Sequence, residues 1–152
     1  MFGLFKKKPD PDEIFSDGTW QLSQGISGDT PIIVRRNTHL ESFVGETALT
    51  LKIGFAIPLN APNPGGMPDP DENEEVANIE DIIAESLRTA GPSVQALAIT
   101  TGTYKEFVFY AQPNIDIKAV HEGLMQAVKS HDIQCYAEMD PNWETYRDFI
   151  SS

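Results

Sequence analysis

The stretch from Asn73 to Gln112 constrains the fold of this 152-residue chain more than any other, because its apolar residues change period part-way along. In NEEVANIEDIIAESLRTAG, residues Val76, Ile79, Ile82, Ile83 and Leu87 recur at helical spacing and share one face. Gly91-Pro92 stops that helix, since glycine accepts the backbone conformations that close a helix and proline cannot continue one. VQALAITT and KEFVFYAQ follow, joined across Gly102-Thr103-Tyr104, and predict a two-stranded hairpin. A helix with one apolar face, running straight into a hairpin, predicts a sheet covered by helices.

The flanking sequence extends that sheet. Ala48 to Ile57 is the clearest strand: Leu49, Leu51, Ile53, Phe55 and Ile57 point one way, and Thr50, Lys52, Gly54 and Ala56 the other. Ile115 to Ser130 predicts a second amphipathic helix, capped by Asn114 or Asp116, with Ile117, Val120, Leu124 and Val128 inward. Ile133, Cys135, Ala137 and Met139 then alternate with Gln134, Tyr136 and Glu138 as a last strand. Residues 48–139 therefore read βαββαβ, the arrangement of ferredoxin-like folds, with a mostly antiparallel sheet and both helices on one face. Upstream, Thr19–Leu22 and Pro31–Asn37 form an extra N-terminal β-hairpin around Gly28-Asp29. Residues 38–47 connect without an assigned shape. Asp140-Pro141 opens a short C-terminal helix with Trp143, Tyr146 and Phe149 or Ile150 inward. The expectation is one α+β domain over residues 17–152 after a disordered tail, 1–16, in which Pro9-Asp10-Pro11-Asp12 disfavours regular structure.

Charge narrows the function. Eleven Lys and Arg face 23 Asp and Glu, a formal net charge of −12. Such a surface repels phosphate backbones, which excludes nucleic acid as a direct partner and favours a protein partner with a basic surface. The one cysteine, Cys135, has no internal disulfide partner, which points to a reducing, cytoplasmic setting and a buried structural thiol. No apolar run approaches the ~18 residues of a transmembrane segment. MFGLFKKK places its lysines after a short apolar patch, the reverse of a secretion signal, and reads as a frayed basic tail.

Pro58 to Pro70 is an extended loop with Pro58, Pro62, Pro64, Pro68, Pro70 and the pair Gly65-Gly66; such loops are functional or disordered. Its acidic exit is the sharpest metal candidate. Asp69, Asp71, Asn73, Glu75 and Glu80 stand at positions 1, 3, 5, 7 and 12 of an EF-hand-like calcium spacing. Glu74 occupies the sixth position, where glycine makes the turn, and Pro70 stiffens the second. The acids are thus expected as solvated partners of the helix dipole, with calcium only a weak alternative, and no metal or cofactor is assigned.

His39, His121 and His131 are scattered and predict no zinc site; His131 near the end of the second helix suits its dipole. Arg35 and Arg36 face opposite sides of a strand, and pairing with nearby acids is the expectation. Trp20, Trp143, Tyr110, Tyr136 and Tyr146 suggest an aromatic patch on the open sheet face; the acidic charge opposes use of that patch for stacking bases. Packing of the C-terminal helix onto the sheet is the ordinary role for these rings. The chain has no Gly-x-Ser-x-Gly elbow and no phosphate-cradling glycine loop.

Several short pieces, taken in order, carry a resemblance. They are Gly18-Thr19-Trp20, Ile33-Val34-Arg35-Arg36-Asn37, Gly66-Met67-Pro68, Ile79-Glu80-Asp81, Ile99-Thr100-Thr101-Gly102, Glu106-Phe107-Val108-Phe109-Tyr110 and Asp140-Pro141-Asn142-Trp143-Glu144-Thr145-Tyr146. Over about residues 18–150 they resemble an uncharacterised bacterial family, number six hundred and ninety-five in the domain-of-unknown-function series. The Asp140-Pro141-x-Trp143-x-x-Tyr146 element is also similar to one in the ribonuclease E inhibitor B family, small acidic regulators that bind a nuclease. The resemblance implies a ferredoxin-like sheet, no reaction and no established functional residues.

The leading expectation is a non-enzymatic protein-interaction or regulatory module with an acidic surface. The alternative is a small-ligand-binding protein or hydrolase whose site is assembled from separated residues such as Arg35, Arg36, His39 and Glu106. An unpaired sheet edge makes a homodimer an open option.

Overall fold

The structure, a computed structural model, describes residues 11–150. Six strands form one sheet in which every neighbouring pair is antiparallel. In chain order they are β1 (Trp20–Ser27), β2 (Thr30–Asn37), β3 (Leu51–Pro58), β4 (Ser93–Thr100), β5 (Tyr104–Ala111) and β6 (Gln134–Met139). Across the sheet they lie β1-β2-β4-β5-β3-β6, so β1 and β6 are the edges. Three helices accompany them, α1 (Pro70–Ala90), α2 (Ile117–Ala127) and α3 (Glu144–Ile150), with 3-10 turns at Pro11–Phe15 and Thr38–Phe43. Among the described residues, no helix is long and apolar enough to cross a membrane.

Local chemistry moves several boundaries from their expected places. α1 starts at Pro70, before Asn73, because the Asp69 carboxylate accepts the backbone N–H groups of Asp71 and Glu72 at 3.1 and 3.2 Å. α2 is shorter than the apolar pattern suggests: Asp116 caps it and Val128 is already extended, although Val128 remains buried. β1 and β2 run to a two-residue turn in which Gly28 takes φ +64°, a conformation that suits hairpins and costs other residues strain.

The sheet has a core on each face. On one, α1 and α2 bury Val76, Ile79, Ile83, Leu87 and Leu124 against Ile53, Phe55, Ile57, Phe107 and Phe109. The opposite face, expected to be open, is covered. There Val34, Val94, Leu97, Val108 and Tyr110 meet Ile14, Leu40, Phe43, Leu49, Trp143 and Tyr146. The Trp143 ring stacks on Tyr110 at 4.3 Å and meets Tyr146 edge-on at 5.9 Å, while its Nε1 donates to Leu49 O at 2.8 Å. Trp143 holds φ +54°, a left-handed conformation costly for a bulky residue, and these contacts on every side of the ring fix it there.

The ordinary role expected for the rings holds for three of them: Tyr110, Trp143 and Tyr146 are buried where the C-terminal segment packs on the sheet, and they form no exposed patch. Two expectations change. Leu49 precedes β3, so strand alternation does not reach it, and it lies in the second core, not with Ile53. The tail divides: residues 1–10, including Lys6–Lys8, lie outside the described residues, whereas Pro11–Phe15 form a turn that buries Ile14.

Candidate functional site

The loop between β3 and α1 is pinned at several points. Leu59 and Asn63 donate backbone N–H groups to Thr103 O and Gly102 O at 2.9 and 2.6 Å. Gly102 is needed there, because a Cβ would collide with the backbone of Asn63 and Gly66. On the other side, the buried Glu72 carboxylate accepts the N–H groups of Asn60 and Ala61 at 2.6 and 3.0 Å. The same carboxylate lies 2.6 Å from His131 Nε2. Burial pushes the Glu72 acid up, but the Asn60 N–H, the His131 imidazole and the Ala61 N–H outweigh it and hold the acid below its ordinary value.

Held in this way, the loop faces the β1–β2 hairpin across a cleft of about 420 Å³. Leu22, Ile33, Met67, Pro68, Pro70 and Ala98 supply its apolar lining; Arg35, Asn73, Thr100 and Lys105 supply the polar groups. Cross-strand register explains the gathering: Ile33 pairs with Thr100, which pairs with Lys105, and all three share the face that α1 covers. Lys105 is 6% exposed, and its Nζ donates to Asn73 Oδ1 at 2.9 Å. Arg35 Nη2 donates to both oxygens of the buried Glu80 at 2.8 and 2.6 Å, and Gln95 Nε2 donates to Glu80 Oε2 at 2.6 Å. The Trp20 ring lies 5.1 Å from the Arg35 guanidinium. Burial lowers the Lys105 ammonium below the usual lysine range; Glu80 opposes this and Arg35 adds to it.

The calcium candidates disperse. Asp69 caps α1, and Asp71, Asn73, Glu75 and Glu80 lie within the helix, where a wrapping loop would be required. Asn73 turns to Lys105, Glu75 lies 3.3 Å from His131 Nδ1, and Glu80 turns to Arg35. Among the described residues no group of three or more His, Cys, Asp or Glu is arranged to hold a metal ion. His131 lies beyond the end of α2 at Ala127, and its side chain is fully buried between Glu72 and Glu75. Ser130 Oγ, His131 and Glu72 do stand in line, with Oγ 3.0 Å from Nδ1. Glu75 Oε1 lies 3.3 Å from the same Nδ1, so the serine hydroxyl shares that ring nitrogen with a carboxylate.

The separated residues of the enzyme alternative also part. Arg36 pairs with Glu41 and donates to Gln21 Oε1 at 2.9 Å. His39 Nε2 lies 2.5 Å from Glu13 O, and Glu106 accepts from the Tyr136 hydroxyl. Cys135 packs against the α1–α2 core, and burial pushes its thiol up to about 11, away from nucleophilic use. Sequence reasoning missed Lys105. Its signal was phase: Lys105 alternates with Phe107 and Phe109, which puts a cation on the buried face of a central strand.

A family model described as a family of unknown function (DUF695) matches residues 18–151. No curated protein and no solved structure matches the chain.

Proposed function

We propose that this chain, which belongs to the family of unknown function DUF695, is a non-enzymatic interaction module that takes up an extended segment of a protein partner along β1. The observation that carries this reading is the chemistry of that edge. All eight β1 residues are exposed, none is charged or proline, and Trp20, Leu22 and Ile26 are 38%, 61% and 75% exposed. These three pair with Asn37, Arg35 and Pro31, alternate residues of β2, and so share one face of the strand.

An unpaired strand edge offers N–H and C=O groups to another chain, and proteins usually guard it with lysine, proline or a covering element. β1 has no such guard among its own residues. Strand addition gains main-chain hydrogen bonds along the edge and specificity from alternate side chains. The net charge of −12 favours a partner with a basic surface. In this reading residues 17–152 are one cytoplasmic domain. Residues 48–139 are its ferredoxin-like βαββαβ unit, extended by the β1–β2 hairpin and by α3.

The test is capture from native lysate on resin-bound protein, with mass spectrometry, alongside sedimentation of the purified chain. Ser23→Lys/Ile26→Lys is expected to lose a basic protein that the wild type retains, with an unchanged melting temperature. A concentration-dependent dimer abolished by the same substitutions would make the occupant a second copy. Equal retention by wild type and variant contradicts the edge reading.

A further inference from the structure

We propose that the cleft between the pinned 58–70 loop and the β1–β2 hairpin binds a small monocarboxylate with a short apolar body, its carboxylate held by Lys105 and Arg35. Lys105 is the central observation. It is 6% exposed at the cleft floor, and its ammonium carries three N–H donors. Among the described residues its one hydrogen-bond acceptor is Asn73 Oδ1, and no carboxylate comes within ion-pair distance. A buried cation without a paired anion is costly, and an anionic ligand would supply the pair.

Arg35 is the second donor. Both of its bonds to Glu80 leave from Nη2, so its other guanidinium nitrogens have no acceptor among the described residues. Its side chain is 35% exposed, which leaves it reachable from the cleft. Glu80 decides how much negative charge the site takes. Two cations and one carboxylate leave a local excess of one positive charge, which suits a monoanion better than a doubly charged phosphate. That excess stands in a chain whose net charge is −12.

The walls define the rest of the ligand. Leu22 and Ile33 rise from the hairpin, and Met67 and Pro68 face them from the loop. A branched chain of a few carbons would lose water against these four side chains. The loop is already tied to Gly102, Thr103 and Glu72, so little ordering accompanies binding. The inference shares Leu22 with the β1 edge reading, and Lys105 and Met67, which lie off that strand, tell the two apart.

The experiment is an amide-resolved NMR titration of the full chain with 3-methylbutanoate, with inorganic phosphate and 3-methylbutylamine as controls. Saturable shifts are expected at Met67, Asn73, Thr100 and Lys105. Lys105→Met is expected to weaken binding at least tenfold, the loss typical of a charged hydrogen bond. Met67→Glu, which places a like charge on the rim and leaves the core untouched, is expected to weaken it as well. Absence of saturable shifts with 3-methylbutanoate overturns the proposal. So does phosphate or the amine acting at the same residues with equal affinity, or full binding by Lys105→Met.

Discussion

The two edges of the sheet, β6 and β1, are both exposed, yet they spend their side chains differently. On β6, Glu138 pairs with Lys52 at 2.5 Å, and the Tyr136 ring lies 5.8 Å from the same ammonium. The Tyr136 hydroxyl donates to Glu106, and Lys52 also donates to Thr145 Oγ1 at 2.8 Å, tying the strand to α3. β6 then runs into Asp140, which accepts from the Tyr110 hydroxyl at 2.7 Å and from the Glu144 and Thr145 N–H groups at 2.9 and 3.2 Å. On β1, Leu22 and Ile26 are 61% and 75% exposed, and the strand carries no charge. The difference teaches that β6 closes the fold and β1 is left available, so damage to one edge should read out as stability and damage to the other as binding.

The largest effect is expected where the β6 edge locks onto the second core. Trp143→Ala removes a fully buried ring stacked on Tyr110 and should cost about 3–5 kcal/mol in urea unfolding. A cost below about 1 kcal/mol would show the C-terminal segment to be a dispensable cap.

Gly54→Ala comes next. Its Cβ would fall inside the Tyr136 ring, and displacing that ring from β6 should cost about 1–3 kcal/mol.

Acid then sharpens the contrast. Burial pushes Asp140 up, but the N–H of Glu144, the Tyr110 hydroxyl, the N–H of Thr145 and Lys52 hold it below its ordinary value. A carboxyl lowered in the fold contributes stability above its unfolded pKa and loses it as pH falls through the folded one. Glu72 has the same sign. Stability should therefore fall as pH drops through about 4 and below, and Asp140→Asn should flatten that slope. An unaltered slope in the variant would remove Asp140 from the lock.

The smallest stability effect belongs to β1. Ser23→Lys/Ile26→Lys should change unfolding by no more than about 0.5 kcal/mol per site while abolishing capture. A large loss of stability there would make β1 as structural as β6.

Much of this frame was legible in the residues, for identifiable reasons. Val76, Ile79, Ile83 and Leu87 announce α1 because a helix buried on one side must repeat its apolar residues along that side. β3 was readable from strict alternation between Leu51 and Ile57. The second core was legible only in part: Trp143 and Tyr146 read as inward, whereas Ile14, Leu40, Phe43 and Leu49 lie in short turns or outside regular elements and share no period. The same limit hid the cleft. Arg35, Asn73 and Lys105 meet through strand register and helix placement, not through spacing along the chain. Glu72 and His131 are 59 positions apart, and their contact depends on where β6 leaves α2.

Amide hydrogen exchange, followed residue by residue with the captured partner bound and absent, tests the account most directly. The account predicts that β1 amides turned away from β2 gain protection in the complex while β6 amides keep their rates. Protection appearing on β6 or on the outer surface of α1, with β1 unchanged, would contradict it.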